Sequence, residues 1–287
     1  MTRALPLAAV CIALLLAGCG APVADTSTAS TSQSTTAHPT ASTTTEATTT
    51  TATTATETTP NAPSDADYPP GVTAAGVENA GRLLAAHEAS VLDRGVHTIA
   101  QTTIDGVVRE QAFGVVSQSV VRFAPNGSRV RWTNAGVNSI RNETTAQDTR
   151  YYANETAVAT RVRQQGNVTA RERNRSDLYD DILLNAASQR RVLQSSLANA
   201  EYAVASVEER NGTTVTTLVA ENGTYDGDRP VTAFDATLEV SASGRVLSFT
   251  RTRTLRTAAS VEHHRTAVTW RPVSLPVSPP ACTPWRQ

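Results

Sequence analysis

Apolar residues recur at helical spacing in two stretches of the chain and alternate at strand spacing through most of the rest. The first helical stretch is Val72–Leu92, where Val77, Ala80, Leu83, Leu84 and Val91 fall on one face. Thr73 is placed to cap its start and Gly95 to end it. After Gly95 the period changes from 3.6 to 2. Val96–Ile104 reads as a strand, Asp105-Gly106 as a hairpin turn, and Val107–Phe123 as the return. Asn126-Gly127 turns into a strand over 128–133, followed by strands near 137–141, 149–154 and 157–164.

The second helical stretch spans 177–200 and is read as one helix behind a Ser176-Asp177 cap. Leu178, Ile182, Leu183, Ala186, Leu193 and Leu197 form its apolar stripe. Asp177, Asp180 and Asp181 precede Arg190 and Arg191, the order the helix dipole favours. Strands then return at 202–209 and 213–220 around Asn211-Gly212, at 231–242 and 246–255 around Ser243-Gly244, and at 258–270. The order predicts one α+β domain, residues 68–271, built as a curved antiparallel sheet with helices on its concave face. No repeat of 20–50 residues interrupts it.

The N-terminus follows a different logic. Arg3 precedes an apolar run from Ala4 to Ala17, too short for a bilayer span of about 20 residues and laid out as a signal peptide, residues 1–18. The run ends in Leu16-Ala17-Gly18-Cys19, which resembles a lipobox. That resemblance implies cleavage before Cys19, a lipid on its sulfur, and anchorage on the extracytoplasmic face of the cell membrane. Residues 19–67 are almost without large apolar side chains and cannot offset the entropy of ordering. They read as a disordered Thr/Ser-rich tether, an O-glycosylated stalk or a plain linker, reaching roughly 35–40 Å. Residues 272–287 hold five prolines and read as a disordered tail.

Composition narrows the partners. All 25 basic residues are arginine. From Tyr68 onward 24 arginines face 21 acidic residues, a balance that gives no electrostatic case for nucleic acid. Of three cysteines, Cys11 lies in the signal and Cys19 carries the lipid, so Cys282 has no partner and no disulfide or cysteine metal site is expected. Seven Asn-x-Ser/Thr sequons occur; those at Asn126, Asn211 and Asn222 are Asn-Gly turns, leaving Asn142, Asn154, Asn167 and Asn174 as glycosylation candidates.

The lipobox, the Thr-rich stalk, the Tyr68-Pro69-Pro70-Gly71-Val72 opening and the Asp-Gly hairpin together resemble a family of uncharacterised haloarchaeal lipoproteins. More distantly, the element order is similar to the half-barrel of LolA-like lipoprotein carriers and mycobacterial lipid-carrying lipoproteins. That similarity implies an apolar groove wrapped by the sheet and closed by helices. The helix stripe and the strand faces place Leu183, Leu193, Leu197, Leu238, Val240, Leu247 and Phe249 to line such a groove, and Arg251 and Arg253, which continue the face of Leu247 and Phe249, at its mouth.

Candidate chemistry is sparse. Glu262-His263-His264 is the densest polar cluster, but neighbouring strand residues point to opposite faces, which argues against a shared metal. His87 and His97 read as surface or capping histidines. No catalytic motif, metal site or cofactor fingerprint is found, and no enzyme is expected. Two readings stay open: a membrane-anchored carrier binding a lipid or other apolar ligand in the sheet concavity, and a structural or interaction module of the envelope whose concavity is filled by its own helix.

Overall fold

The computed structural model of the chain describes residues 67–279 apart from 142, 222, 224–229 and 275. The expected signal peptide, Cys19, nearly all of the tether, Asn142, Asn222 and Cys282 lie outside the described residues.

A two-residue ladder of β1 (Val72–Thr73) and β2 (Gly76–Val77) opens the fold, followed by α1 (Ala80–Arg94). The helix begins eight residues later than the apolar spacing predicts. Gly76 is held at φ 128 with its α-carbon against the Tyr202 carbonyl, so close that a β-carbon would stand 1.9 Å from that oxygen, and the chain cannot enter a helix there. Asn79 is the cap, its Oδ1 accepting from the Arg82 amide at 2.9 Å. Thr73 instead accepts from the Ala75 amide at 3.2 Å.

Six strands follow: β3 (Val96–Val108), β4 (Gln111–Phe123), β5 (Val130–Ile140), β6 (Glu143–Ala153), β7 (Ala157–Gln164) and β8 (Asn167–Asn174). The first hairpin turns at Arg109-Glu110, both with positive φ, and not at Asp105-Gly106. Gly106 stays in the ladder because β3 is central: it pairs with Phe113 on one side and Glu262 on the other. A turn there would forfeit both neighbours. β8 falls in a stretch that carries no strand pattern in sequence; the Gln165-Gly166 turn, both residues at positive φ, folds it back onto β7.

The second helical stretch is broken. α2 (Asp177–Ser188) and α3 (Arg190–Ala198) meet at Gln189, which adopts a left-handed φ of 55. Ser176 holds the N-cap position of α2 without a side-chain bond to it. The chain then runs through β9 (Ala203–Arg210), β10 (Thr213–Glu221), β11 (Val231–Ser241), β12 (Val246–Arg256) and β13 (Ser260–Arg271).

These strands form one eleven-stranded sheet in the order β8-β7-β6-β5-β4-β3-β13-β12-β11-β10-β9, antiparallel throughout. Two meanders, β3–β8 and β9–β13, are joined where the last strand pairs with β3. The α2–α3 segment connects one edge strand to the other, and β8 and β9 do not meet, so the sheet is a curved, open half-barrel with helices on its concave face. The core lies between that face and the three helices, and runs from Leu83 and Val91 through Leu183 and Leu193 to Leu238, Phe249 and Trp270. After β13, residues 272–274 and 276–279 form neither helix nor strand, and Val277 is buried.

Candidate functional site

The inner face of the sheet has two unlike halves. In the first, the helices sit on ranks of paired side chains. Trp270, Thr98, Val121, Trp132 and Tyr151 form one rank across β13, β3, β4, β5 and β6, and Phe249, Val268 and Ala100 stand in the next. The end of α2 is fastened here: the Ala187 carbonyl accepts from Thr98 Oγ1 at 2.6 Å and from Trp270 Nε1 at 3.0 Å. Trp132 and Tyr151 stack at 4.5 Å.

His87 belongs to the same half. It is fully buried, which corrects its reading as a surface or capping residue. The ring donates from Nε2 to the Ser188 carbonyl at 3.1 Å, accepts at Nδ1 from the Val246 amide at 3.2 Å, and meets Trp270 edge to face. Burial lowers its pKa to about 4, outweighing the Ser188 bond, and Arg245 adds to the lowering. It is a neutral staple between α1, α2 and β12.

Most residues expected to line a groove fill this half. Leu183, Leu193, Leu238, Val240 and Phe249 are each about 1% exposed or less and join one cluster, with Leu197 packed against it. Leu247 is half-buried and stands apart from that cluster. A register shift between Glu239 and Val240 puts Val246 opposite Val240, so Val246 takes the inward place.

Further along the same strands the helices stop covering the sheet. On β3 the inward positions pass from buried Val96, Thr98 and Ala100 to half-buried Thr102 and Ile104 and exposed Val108. On β4 they pass from Phe123 and Val121, both buried, through half-buried Ser119 and Ser117 to half-buried Val115 and Phe113. On β5 they end at Ile140, which is 53% exposed. The register sets Ile104 beside Val115 and Phe113 beside Ile140, giving a four-residue apolar strip on the open inner face, bounded by Asn138 next to Val115 and by the Thr102–Ser117–Gly136 rank on the core side.

One flank of this strip is charged. Arg253 and His264 continue the rank of Ile104, and Glu262 is paired with Leu255 in the next rank. Arg253 Nη2 donates to His264 Nδ1 at 3.4 Å, leaving His264 Nε2 to donate to Glu262 Oε2 at 3.0 Å. Arg251, 8% exposed, stands one rank deeper with its guanidinium 6.0 Å from the centre of the Phe249 ring. Alanines 236 and 220 continue its rank and leave room for so long a side chain. His263 points to the other face and meets Thr254 Oγ1 at 3.1 Å.

Two hollows lie elsewhere. One of about 390 Å³ on the outer face is lined by Gln101, Thr103, Asp235, Thr250, Thr252 and Arg265 among others. The other, about 740 Å³, is bordered by Leu197, Asn199 and Tyr202 near residues that are not described. Among the sequons, Asn167 and Asn174 are exposed at the two ends of edge strand β8. Asn154 Oδ1 accepts from the Thr156 and Ala157 amides at 2.9 and 2.8 Å. Sequence alone does not single out Ile104, Val115, Phe113 and Ile140. Their signal is an alternation no different from that of the buried part of the same strands.

No family model matches the chain, and no curated protein does. Among solved structures it is similar to LprF from Mycobacterium bovis, at 11% identity and a TM-score of 0.31, over 73% of this chain and 100% of that one. It is also similar to a putative outer membrane lipoprotein-sorting protein domain from Vibrio parahaemolyticus, at 13% identity and a TM-score of 0.23, over 69% and 95%. A LolA superfamily protein from Nitrosomonas europaea matches at 10% identity and a TM-score of 0.21, over 69% and 94%. At such scores nothing of those proteins' chemistry transfers to this chain. Among the described residues no helix is long and apolar enough to cross a membrane.

Proposed function

We propose that this protein is an envelope lipoprotein, held by a lipid on Cys19 and a Thr-rich tether, that binds the apolar chain of an amphipathic ligand on the open half of its concave sheet. One observation carries the proposal: beyond the reach of the helices, past the Thr102–Ser117–Gly136 rank, the inner face turns apolar again at Ile104, Val115, Phe113 and Ile140. Val107, Val116 and Val137 are exposed on the outer face of the same strands, so what sets the inner strip apart is its place inside the concavity, beside Arg251 and Arg253. Arg251 and Arg253 supply positive charge at the strip's flank, which suits an anionic head. N-glycans on Asn154, Asn167 and Asn174 are part of the same reading of an exported protein.

The reading of an interaction module without a ligand draws on the filled half, where Leu183 and Leu193 occupy the space a deep groove would need. The open strip distinguishes the two. Titration with a fluorescent fatty acid, 11-(dansylamino)undecanoic acid, tests it. Binding with a blue-shifted emission is expected in the native protein and at least tenfold weaker binding in Phe113→Asp and Ile140→Asp. Ile140 is exposed enough that its variant keeps the fold. No blue shift with the native protein, or undiminished binding by a folded Ile140→Asp variant, overturns the proposal.

A further inference from the structure

The outer face carries a charge arrangement that chain order hides. Arg271 is paired with His97, His97 with Arg122, and Arg122 with Arg131, so four basic side chains from β13, β3, β4 and β5 stand in one rank. Like charges directly opposite each other on a sheet, as Arg122 and Arg131 are, cost stability. Yet none of the three guanidiniums forms an ion pair among the described residues. The rank continues into Tyr152 and Ala159, and its next charge, Glu172, is three strands beyond Arg131, roughly 14 Å away.

The surroundings of the rank are as informative as its charge. Arg131 and Arg271 are exposed, and Arg122 and His97 are half-buried. The neighbouring rank on the same face is uncharged over these four strands, at Thr269, Ile99, Val120 and Thr133; Arg150, paired with Asp148, comes next on β6, and Glu239 two strands away on β11. His97 Nε2 is buried without a hydrogen-bond partner. Burial first, then Arg122 and Arg271, hold its pKa below the ordinary histidine value, so the ring adds a polar but uncharged atom at neutral pH. The rank also lies at a particular end of the sheet. Arg271 is at the end of β13 that faces the start of β12, where Pro70 packs on the Ser243-Gly244 turn. The chain therefore joins its folded part at the same end of the strands as the basic rank.

We propose that the Arg271–His97–Arg122–Arg131 rank is a docking surface for the anionic phospholipid headgroups of the membrane, which rests on the reading of residues 19–67 as a membrane tether. A basic rank beside half-buried Ile99 and Val120 matches the headgroup layer, where phosphates meet the first apolar depth of the bilayer. Docking there turns the outer face to the membrane and leaves the inner face turned away from it.

Sedimentation of residues 20–287, which keep every described residue, with vesicles tests this without the lipid on Cys19. Binding is expected to vesicles with 30% phosphatidylglycerol and not to pure phosphatidylcholine, and it is expected to weaken with added chloride. Arg122→Glu/Arg131→Glu is expected to bind at least about thirtyfold more weakly, the worth of two lost basic contacts at an anionic surface before the repulsion of the added carboxylates. Arg109→Glu/Arg141→Glu changes net charge equally at the far hairpins and is expected to bind as the native chain does. Equal loss in both variants, equal binding to both vesicles, or release by inorganic phosphate beyond that of chloride at matched ionic strength overturns the proposal. If Cys19 carries no lipid in the native host while the vesicle result holds, the tether reading fails and the docking surface stands.

Discussion

His87 and Val246 are 159 residues apart in sequence and joined by one hydrogen bond of 3.2 Å, from the Val246 amide to the His87 Nδ1. The bond requires an unprotonated ring nitrogen. With Nε2 spent on the Ser188 carbonyl, the ring has no place for a second proton without breaking the link between α1 and β12.

That geometry predicts an acid-sensitive fold. The folded-state pKa of His87 is about 4, below the ordinary 6.5, so the unfolded chain binds the extra proton first as pH falls. The stability the neutral ring contributes is complete above pH 6.5 and is lost as pH drops towards 4, by about 3 kcal/mol in all. Urea unfolding of native protein and His87→Gln at pH 7.5 and 4.5 measures it. The native protein should show the larger loss by about 2–3 kcal/mol; parallel losses contradict the assignment.

The Ala187 carbonyl predicts non-additivity. It accepts from both Thr98 and Trp270. Thr98→Val should cost about 1 kcal/mol because the Trp270 bond still satisfies the oxygen, and Trp270→Phe removes only the other donor along with some packing. The double variant orphans a buried carbonyl at the end of α2 and should cost about 1–3 kcal/mol more than the two single losses summed. A double-mutant cycle by chemical denaturation gives the value directly.

Leu183 and Leu193 are predicted to hold the helices to the sheet. Each is about 1% exposed within the one core cluster. Leu183→Ala and Leu193→Ala should each lower unfolding free energy by about 2–5 kcal/mol. A loss below 1 kcal/mol for either would mean that the helix is not seated where the structure places it.

The Arg109-Glu110 turn is open to improvement. Both residues have positive φ, 49 and 65, which a type I′ turn demands and which Asn-Gly adopts with less strain. Arg109→Asn/Glu110→Gly should raise stability by about 0.5–1 kcal/mol, read as a higher melting temperature with unchanged ligand binding.

The same turn marks where the fold stops being legible in sequence. Asp105-Gly106 carries the stronger turn signal, but two neighbouring strands hold Gly106 in register and the turn moves to residues with no such signal. The edge strand β8 is hidden for a related reason: its inward positions meet little core, so no apolar alternation announces it. The break at Gln189 is invisible because Leu183, Leu193 and Leu197 keep an apolar stripe on both sides of it. Strand order near the Asn211-Gly212 and Ser243-Gly244 turns reads plainly, since local turn chemistry and alternation agree there. The site is less legible still. The apolar strip and the basic rank each depend on cross-strand register, and Arg271 meets His97 only because the last strand returns to the first long one.

Native mass spectrometry on protein extracted from membranes of its own host tests the account most directly. The prediction is a bound amphiphile of a few hundred daltons on the native chain, lost together in Phe113→Asp and Ile140→Asp. A native chain free of any such adduct under conditions that preserve weak lipid complexes, or an adduct retained undiminished by folded forms of both variants, would contradict it.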